Sequence, residues 1–383
     1  MQRYLDNSST TFPKPRCVAD AVYTYMTEIG VNVGRGRYED AYSVEMSIME
    51  CRERLVDLFD GYDPSGVVFS KNITESMNVL IKGFLQENDH VIVSSMEHNA
   101  VMRPLVQLEK SPVTFTRAAC TPEGDLIVDS LEDALLPNTR AVIMTHASNV
   151  CGTVMPIAKV GAFCRDHGIK FFLDSAQSAG VLPIDMQRDN IDVVAFTGHK
   201  GLMGPQGIGG MVADPAFLST LDPLIAGGTG SKSDSEEMPA FLPDHLEAGT
   251  QNLPGIIGLN AALEWLENTG IDTIHARETQ LTQLLLQGLV ELEEHGRVRL
   301  IGHRDTHERL SAVSIQTPGH DEAYIADKLA RSYGIMTRVG LHCAPSAHKT
   351  LNTFPHGTIR FSLGYFNTED DVAAALSALG ELL

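Results

Sequence analysis

The chain has 383 residues, 43% of them hydrophobic and 20% charged, enough for a large core and for about two domains. Its 49 Asp and Glu outweigh 29 Lys and Arg, and the formal net charge of −20 argues against nucleic acid or an anionic membrane as the main partner. No apolar run approaches the roughly 20 residues of a bilayer span, the opening MQRYLDNSSTTFPKPR lacks a signal-peptide apolar stretch, and the six scattered cysteines form no CxxC pair, so a cytoplasmic, reducing location with free thiols and no metal site is expected.

Behind Pro13 and Pro15, Val18, Ala21, Val22, Tyr25, Met26 and Ile29 recur at helical spacing and predict a first helix. GVVFS (66–70) reads as a strand, followed by the amphipathic TESMNVLIKGFL with Thr74 near its start. Short runs rich in β-branched residues then recur: HVIVSS (90–95), VTFTR (113–117), RAVIMTH (140–146), KFFLD (170–174), DVVAFTG (192–198) and IGGMVA (208–213). Helical patterns such as IAKVGAFCRDHG separate several of them, which predicts an α/β unit with a mostly parallel sheet covered on both faces. The polar, Gly- and Ser-rich GTGSKSDSEEMP (228–239) reads as a mobile loop. From about Gly255 the pattern changes to two long amphipathic helices, then short strands near SAVSIQT and TIRFSL, and a final helix in EDDVAAALSALGELL. That is a smaller α+β domain. The expected division is a large domain over 12–255, with 1–11 and 256–383 forming the small one.

In open α/β sheets a ligand binds beyond the carboxyl ends of the strands. Four candidate strands here end in polar residues, Ser94–His98, His146–Asn149, Asp174–Gln177 and Thr197–Lys200. A lysine amine forms an imine with an aldehyde. Pyridoxal phosphate supplies that aldehyde, and a carboxylate facing its ring nitrogen keeps the ring protonated and electron-withdrawing. Lys200 and Asp174, one crossover apart, suit those two tasks, while Thr74, Thr197 and His199 suit the phosphate. The competing reading of GHKG as a nucleotide loop fails, because no Ser or Thr follows the lysine and the upstream glycine is missing; GPQGIGG likewise lacks dinucleotide-binding spacing. Cys343, in the loop-like VGLHCAPSAH, differs from the other five cysteines, which read as core residues. A reactive cysteine needs a thiolate, and His342, His348 and Arg338 are the nearest sources of positive charge.

Taken in order, YLDNSSTT (4–11), MEHNA (96–100), THASNVCGTVMPI, FLDSAQSAG, FTGHKGLMGPQGIG, EAGTQN, TRVGLHCA (337–344) and TIRFSLGYFNTEDDV span nearly the whole chain. In these segments it resembles the class V aminotransferase-type enzymes, in the cysteine desulfurase and selenocysteine lyase branch and its Suf-like group. The resemblance implies the α/β fold type I of pyridoxal-phosphate-dependent transferases, with a seven-stranded-type sheet, and an obligate homodimer. It assigns Lys200 to the imine, Asp174 to the pyridinium nitrogen, Gln177 to the ring hydroxyl and His98 to stacking on the ring. Thr74, Thr197 and His199 would hold the phosphate, joined by Thr250 of a second subunit. Asn149, Arg360 and Arg338 would bind the amino-acid substrate, and Lys200, Cys343 and His98 would carry the chemistry. The implied reaction takes sulfur from L-cysteine as a persulfide on Cys343, leaving L-alanine, with a possible acceptor protein for the sulfur. Selenocysteine cleavage, and less so an aminotransferase or β-lyase reaction, stay open as alternatives. Two departures stand out. Ile73 replaces a threonine often found beside Thr74, with Asn72 as a possible substitute, and NVGRGRYEDA (32–41) lacks a histidine often found nearby.

Overall fold

The computed structural model describes every residue except Met1, Arg35, Arg37 and Ser233, so the expectations for 32–41 and 228–239 lie outside the described residues at three of those positions. The described part of 228–239 forms neither helix nor strand.

All seven strand candidates of the first part of the chain join one sheet. Its order is Val67–Ser70, Gly209–Ala213, Val193–Thr197, Lys170–Asp174, Thr139–Thr145, His90–Ser94 and Thr114–Ala118. Only Gly209–Ala213 runs antiparallel to its neighbours; the other pairings are parallel. Strands His90–Ser94, Val193–Thr197 and Gly209–Ala213 are buried from end to end, as expected where helices cover both faces. One apolar cluster, including Leu55, Phe171, Phe196 and Leu259, covers one face, and a second, including Leu80, Val93, Phe172 and Met211, covers the other.

The four strands with polar exits are adjacent in this order and parallel, so their carboxyl ends meet at one edge. The antiparallel strand follows from the chain between it and Val193–Thr197. The Gly198 N–H donates to the Ile208 carbonyl and the Gly204 N–H to the Gly198 carbonyl, folding 198–208 into a tight reversal. Lys200 sits in that reversal. Gly201 lies so close to the Ala179 carbonyl that an added Cβ would stand 2.4 Å from its oxygen, which is why the lysine is followed by nearly bare backbone.

A four-stranded antiparallel sheet follows in the order Arg338–Gly340, Thr358–Ser362, Ala312–Gln316, Arg299–Ile301. The strand Arg3–Tyr4 pairs with Ile335–Met336, tying the start of the chain to this part. Helix Leu253–Thr269 buries Ile256, Leu259 and Leu263 in the cluster of the large sheet, whereas Ile271–Glu294 buries Leu281, Leu285 and Leu289 in the cluster of the small one. No described helix is long and apolar enough to cross a membrane.

Two expectations need correction. The first helix, Arg16–Thr24, passes into a wide turn over Tyr25–Ile29, and Met26 points outward at 66% exposure while Val18 and Tyr25 are buried. All six thiols are free as expected, but only Cys51, Cys151 and Cys164 are core residues; Cys120 is half-buried and Cys17 exposed.

Candidate active site

Lys200 and Asp174 face one another electrostatically at the convergence of strand ends. Burial pulls the Lys200 amine down to about 8, opposed by Asp174 and assisted by Arg360 and Arg338. Its Nζ makes no hydrogen bond with a described residue. Burial raises Asp174 above the ordinary carboxyl range, opposed by the Ala176 N–H, which donates to Oδ1 at 2.9 Å, and by Lys200. Lys200 therefore exchanges a proton near neutral pH, while its charge and the Ala176 N–H favour the ionised form of Asp174 against burial.

His98 caps helix Asn99–Leu108, accepting from the Ala100 N–H at 3.0 Å, and burial and the Lys200 charge take it down to about 4. A neutral ring held this way presents its face. Thr197 Oγ1 and His199 Nδ1 are buried and have no partner among the described residues. The segment of His199 is gripped from the other side, where its carbonyl accepts from the Lys14 ammonium at 2.7 Å. Thr74 opens helix Ile73–Phe84. Ile73 is buried there, and Asn72 caps the helix, its Oδ1 accepting from the Glu75 N–H at 3.1 Å. Gln177 Nε2 donates to the Ser8 carbonyl at 3.1 Å.

These groups fit pyridoxal phosphate. A desolvated amine without a partner, a carboxylate at the neighbouring strand end, a neutral imidazole, and the orphaned Thr197 hydroxyl and His199 nitrogen meet the needs of its aldehyde, ring and phosphate. Thr250 is not brought to this place. It is exposed and lines a separate cavity with Lys71, Glu75 and Gln251, which contains neither Lys200 nor Asp174.

Arg360 lies on strand Thr358–Ser362 directly opposite Arg338. Like charges so placed repel, and Asp6 reconciles them. Asp6 Oδ1 stands 3.0 Å from Arg360 Nη2 and Oδ2 3.1 Å from Arg338 Nε. Ser9 Oγ donates to the same Asp6 carboxylate at 2.6 Å and accepts from Arg360 Nη2 at 2.8 Å. Arg360 is 2% exposed, and its Nε is buried without a partner among the described residues. Arg360 is thus an ion-paired residue whose Nε–H is left over. Asp6 was not predicted, although it belongs to YLDNSSTT; only the fold reveals that its partners lie more than 330 residues away.

Asn149 connects this cluster to Cys343. Its carbonyl accepts from Arg360 Nη1 at 2.8 Å, and its Nδ2 donates to the His342 carbonyl at 2.7 Å. The Asn99 N–H donates to the Cys343 carbonyl at 2.8 Å. His342 and Cys343 have φ of 47° and 57°. That left-handed pair costs about 1–2 kcal/mol per residue, so these bonds hold a turn the chain would otherwise avoid. The turn presents an exposed Cys343. Elsewhere burial pushes thiols up, Cys51 to about 12 and Cys120 to about 11.

The histidines expected to supply positive charge do not. Burial and neighbouring cations take His342 down to about 2, and its Nε2 pairs with Thr358 Oγ1 at 2.9 Å. His348 is buried, lowered to about 4, and bonded through Nδ1 to Thr353 Oγ1 at 2.7 Å. Both rings brace the loop as neutral groups.

The family model for aminotransferase class-V matches residues 3–375. A probable cysteine desulfurase of Methanothermobacter thermautotrophicus is 32% identical over 99% of this chain and 93% of its own length. Cysteine desulfurase CsdA of Escherichia coli is 30% identical over 99% of this chain and 94% of its own. Among solved structures, the apo structure of a cysteine desulfurase from Thermococcus onnurineus NA1 superposes with a TM-score of 0.91 at 29% identity, covering 100% of this chain and 94% of that one.

Proposed function

The chain belongs to the aminotransferase class-V family, and we propose that it is a pyridoxal-phosphate-dependent cysteine desulfurase, converting L-cysteine to L-alanine and holding the sulfur as a persulfide on Cys343. The observation that carries this reading is the bridge made by Asn149 between Arg360, whose charge acts on the desolvated Lys200 amine, and the braced turn that exposes Cys343.

Pyridoxal phosphate bound among Asp174, Gln177, His98, Thr74, Thr197 and His199 would supply an electron sink for charge developing at the substrate Cα. Lys200 Nζ takes the Cα proton and can give it back, because its pKa of about 8 lets it hold or release a proton near neutral pH. Arg360 orients the substrate, offering its partnerless Nε to the carboxylate while Asp6, Ser9 and the Asn149 carbonyl fix the guanidinium plane. Cys343 Sγ, as thiolate, attacks the substrate sulfur. An S–S bond forms as the C–S bond breaks, and Cβ takes a proton to complete alanine. One thiol and one cysteine become one persulfide and one alanine, so no outside oxidant is needed.

Product analysis tests this. With one equivalent of L-cysteine per site and no other thiol, the holoenzyme releases about one alanine per site and mass spectrometry finds one extra sulfur on Cys343. Cys343→Ala abolishes both while retaining the cofactor's visible absorbance, and Lys200→Ala abolishes the native absorbance band. Full alanine production by Cys343→Ala, or a keto-acid product, rejects the reading.

A further inference from the structure

Cys343 opens onto a small cleft of about 200 Å³ that it shares with Thr74, Asn78, His98, Arg103 and Gln107, room for a molecule of a few heavy atoms only. Arg103 lies four residues beyond Asn99 on helix Asn99–Leu108, hence on the same face, and Asn99 is the residue whose N–H holds the Cys343 carbonyl. Arg103 forms no ion pair or hydrogen bond with any described residue. In a chain with a 20-charge acidic excess, an unpartnered guanidinium beside an exposed thiol stands out. Of the other cations of the neighbourhood, Arg338 and Arg360 both hold Asp6, and Lys200 is desolvated and faces Asp174. The nearby rings of His98, His342 and His348 are all held neutral, at about 4, 2 and 4. Arg103 is therefore the free positive charge on this side of Cys343 among the described residues.

We propose that this cavity is an acceptor subsite for a small thiol that carries a carboxylate, with Arg103 binding the carboxylate and Cys343 handing over the sulfur. The proposal rests on the desulfurase reading above. In the transfer step the acceptor thiolate attacks the outer sulfur of the Cys343 persulfide. A new S–S bond forms on the acceptor, the old one breaks, and Cys343 leaves as thiolate, so one thiol and one persulfide exchange with no net oxidation. The amides of Asn78 and Gln107 give the walls polar groups that tolerate such a ligand. A guanidinium matches a carboxylate in geometry as well as charge.

The experiment uses the holoenzyme with 3-mercaptopropionate, 2-mercaptoethanol and cysteamine as acceptors in wild type, Arg103→Gln and Arg103→Glu. For 3-mercaptopropionate, Arg103→Gln raises KM by about tenfold, the scale of one charge-assisted contact, and leaves KM for 2-mercaptoethanol within twofold. Arg103→Glu raises the former further and lowers KM for cysteamine. Equal changes for all three thiols overturn the subsite. So does a loss of cofactor absorbance in Arg103→Gln without thiol discrimination, which would assign Arg103 to the cofactor phosphate. The alanine burst of wild type on one equivalent of L-cysteine per site, before any acceptor thiol is added, separates the two readings. Its absence overturns the desulfurase reading and the subsite together, whereas a normal burst followed by equal changes overturns the subsite alone.

Discussion

Glu97 shows how much of this site depends on a single buried proton. Its carboxyl is fully enclosed, accepts from Ser94 Oγ at 2.6 Å and from the Thr145 N–H at 3.0 and 3.1 Å, and so staples the ends of two adjacent strands just before His98. Burial nevertheless pushes it up to about 8, with the Asp174 charge adding to the shift and the three hydrogen bonds opposing it. In the unfolded chain the same group titrates near 4.5. The folded state therefore binds one more proton between those values, and the stability this contributes is lost as pH rises toward 8. Glu97→Gln removes the titration and keeps a donor and an acceptor for Ser94 and Thr145. The stability of wild type relative to Glu97→Gln is expected to fall by up to about 1.4 kcal/mol per pH unit between pH 5 and 8 and to run parallel above pH 8. Urea unfolding across that range checks it, and a constant difference would mean that Glu97 is ionised in the fold. At this scale the Lys200–Asp174 pairing was legible because each residue stands at the end of an apolar run. Glu97 and Asp6 were not, because a carboxylate's partners across the fold leave no local pattern.

Among elements, the strands were readable because complete burial imposes β-branched and apolar runs bounded by polar exits, and their common edge follows once the runs are parallel neighbours. What the pattern does not carry is which sheet a helix joins. Leu253–Thr269 and Ile271–Glu294 follow each other directly, yet pack into different clusters. The close approach of Gly209 to the start of helix Ile73–Phe84 was equally hidden. A Cβ there would lie 2.8 Å from the Asn72 Cα and 2.8 Å from the Phe196 carbonyl oxygen. Both are backbone atoms, so neither yields cheaply. Asn72 is the cap of the helix that begins with Ile73 and Thr74, the end assigned to the cofactor phosphate. Gly209→Ala is therefore expected to shift that helix end, cost about 1–3 kcal/mol of stability, and weaken cofactor retention more than an equally destabilising core substitution such as Leu289→Ala in the cluster of the small sheet. Thermal melts with and without added cofactor, together with its release on dialysis, separate the two effects. Equal retention in both variants would count against the coupling.

For the whole molecule, the position of Thr250 and an apolar helix face point the same way. Helix Glu39–Phe59 exposes Tyr42, Met46 and Met49 at 54%, 60% and 41%, spaced so that they share one face. Tyr23 and Met26, each 66% exposed, come from the preceding helical segment. Large apolar side chains aligned on one exposed helix face, as Tyr42, Met46 and Met49 are, mark a surface that another molecule covers. The same Glu39–Phe59 helix contributes Glu45, Ile48 and Arg52 to a cavity whose opposite wall includes Gly249, Thr250 and Gln251. Arg52 and Glu247 lock that wall through a buried ion pair at 2.8 Å. The homodimer that the family resemblance implies would use this face, and Thr250, which stays away from its own Lys200, would then be offered to the phosphate of the partner. Met46→Glu places a charge in the middle of the face without touching Lys200, Asp174 or Cys343. It is expected to shift the protein from dimer to monomer in sedimentation, and cofactor should be lost on dialysis in step with the monomer fraction. Thr250→Val in the intact dimer should weaken cofactor binding at both sites with no change in mass. A Met46→Glu monomer that keeps its cofactor as tightly as wild type would show each chain to be a complete site, and would withdraw Thr250 from the phosphate.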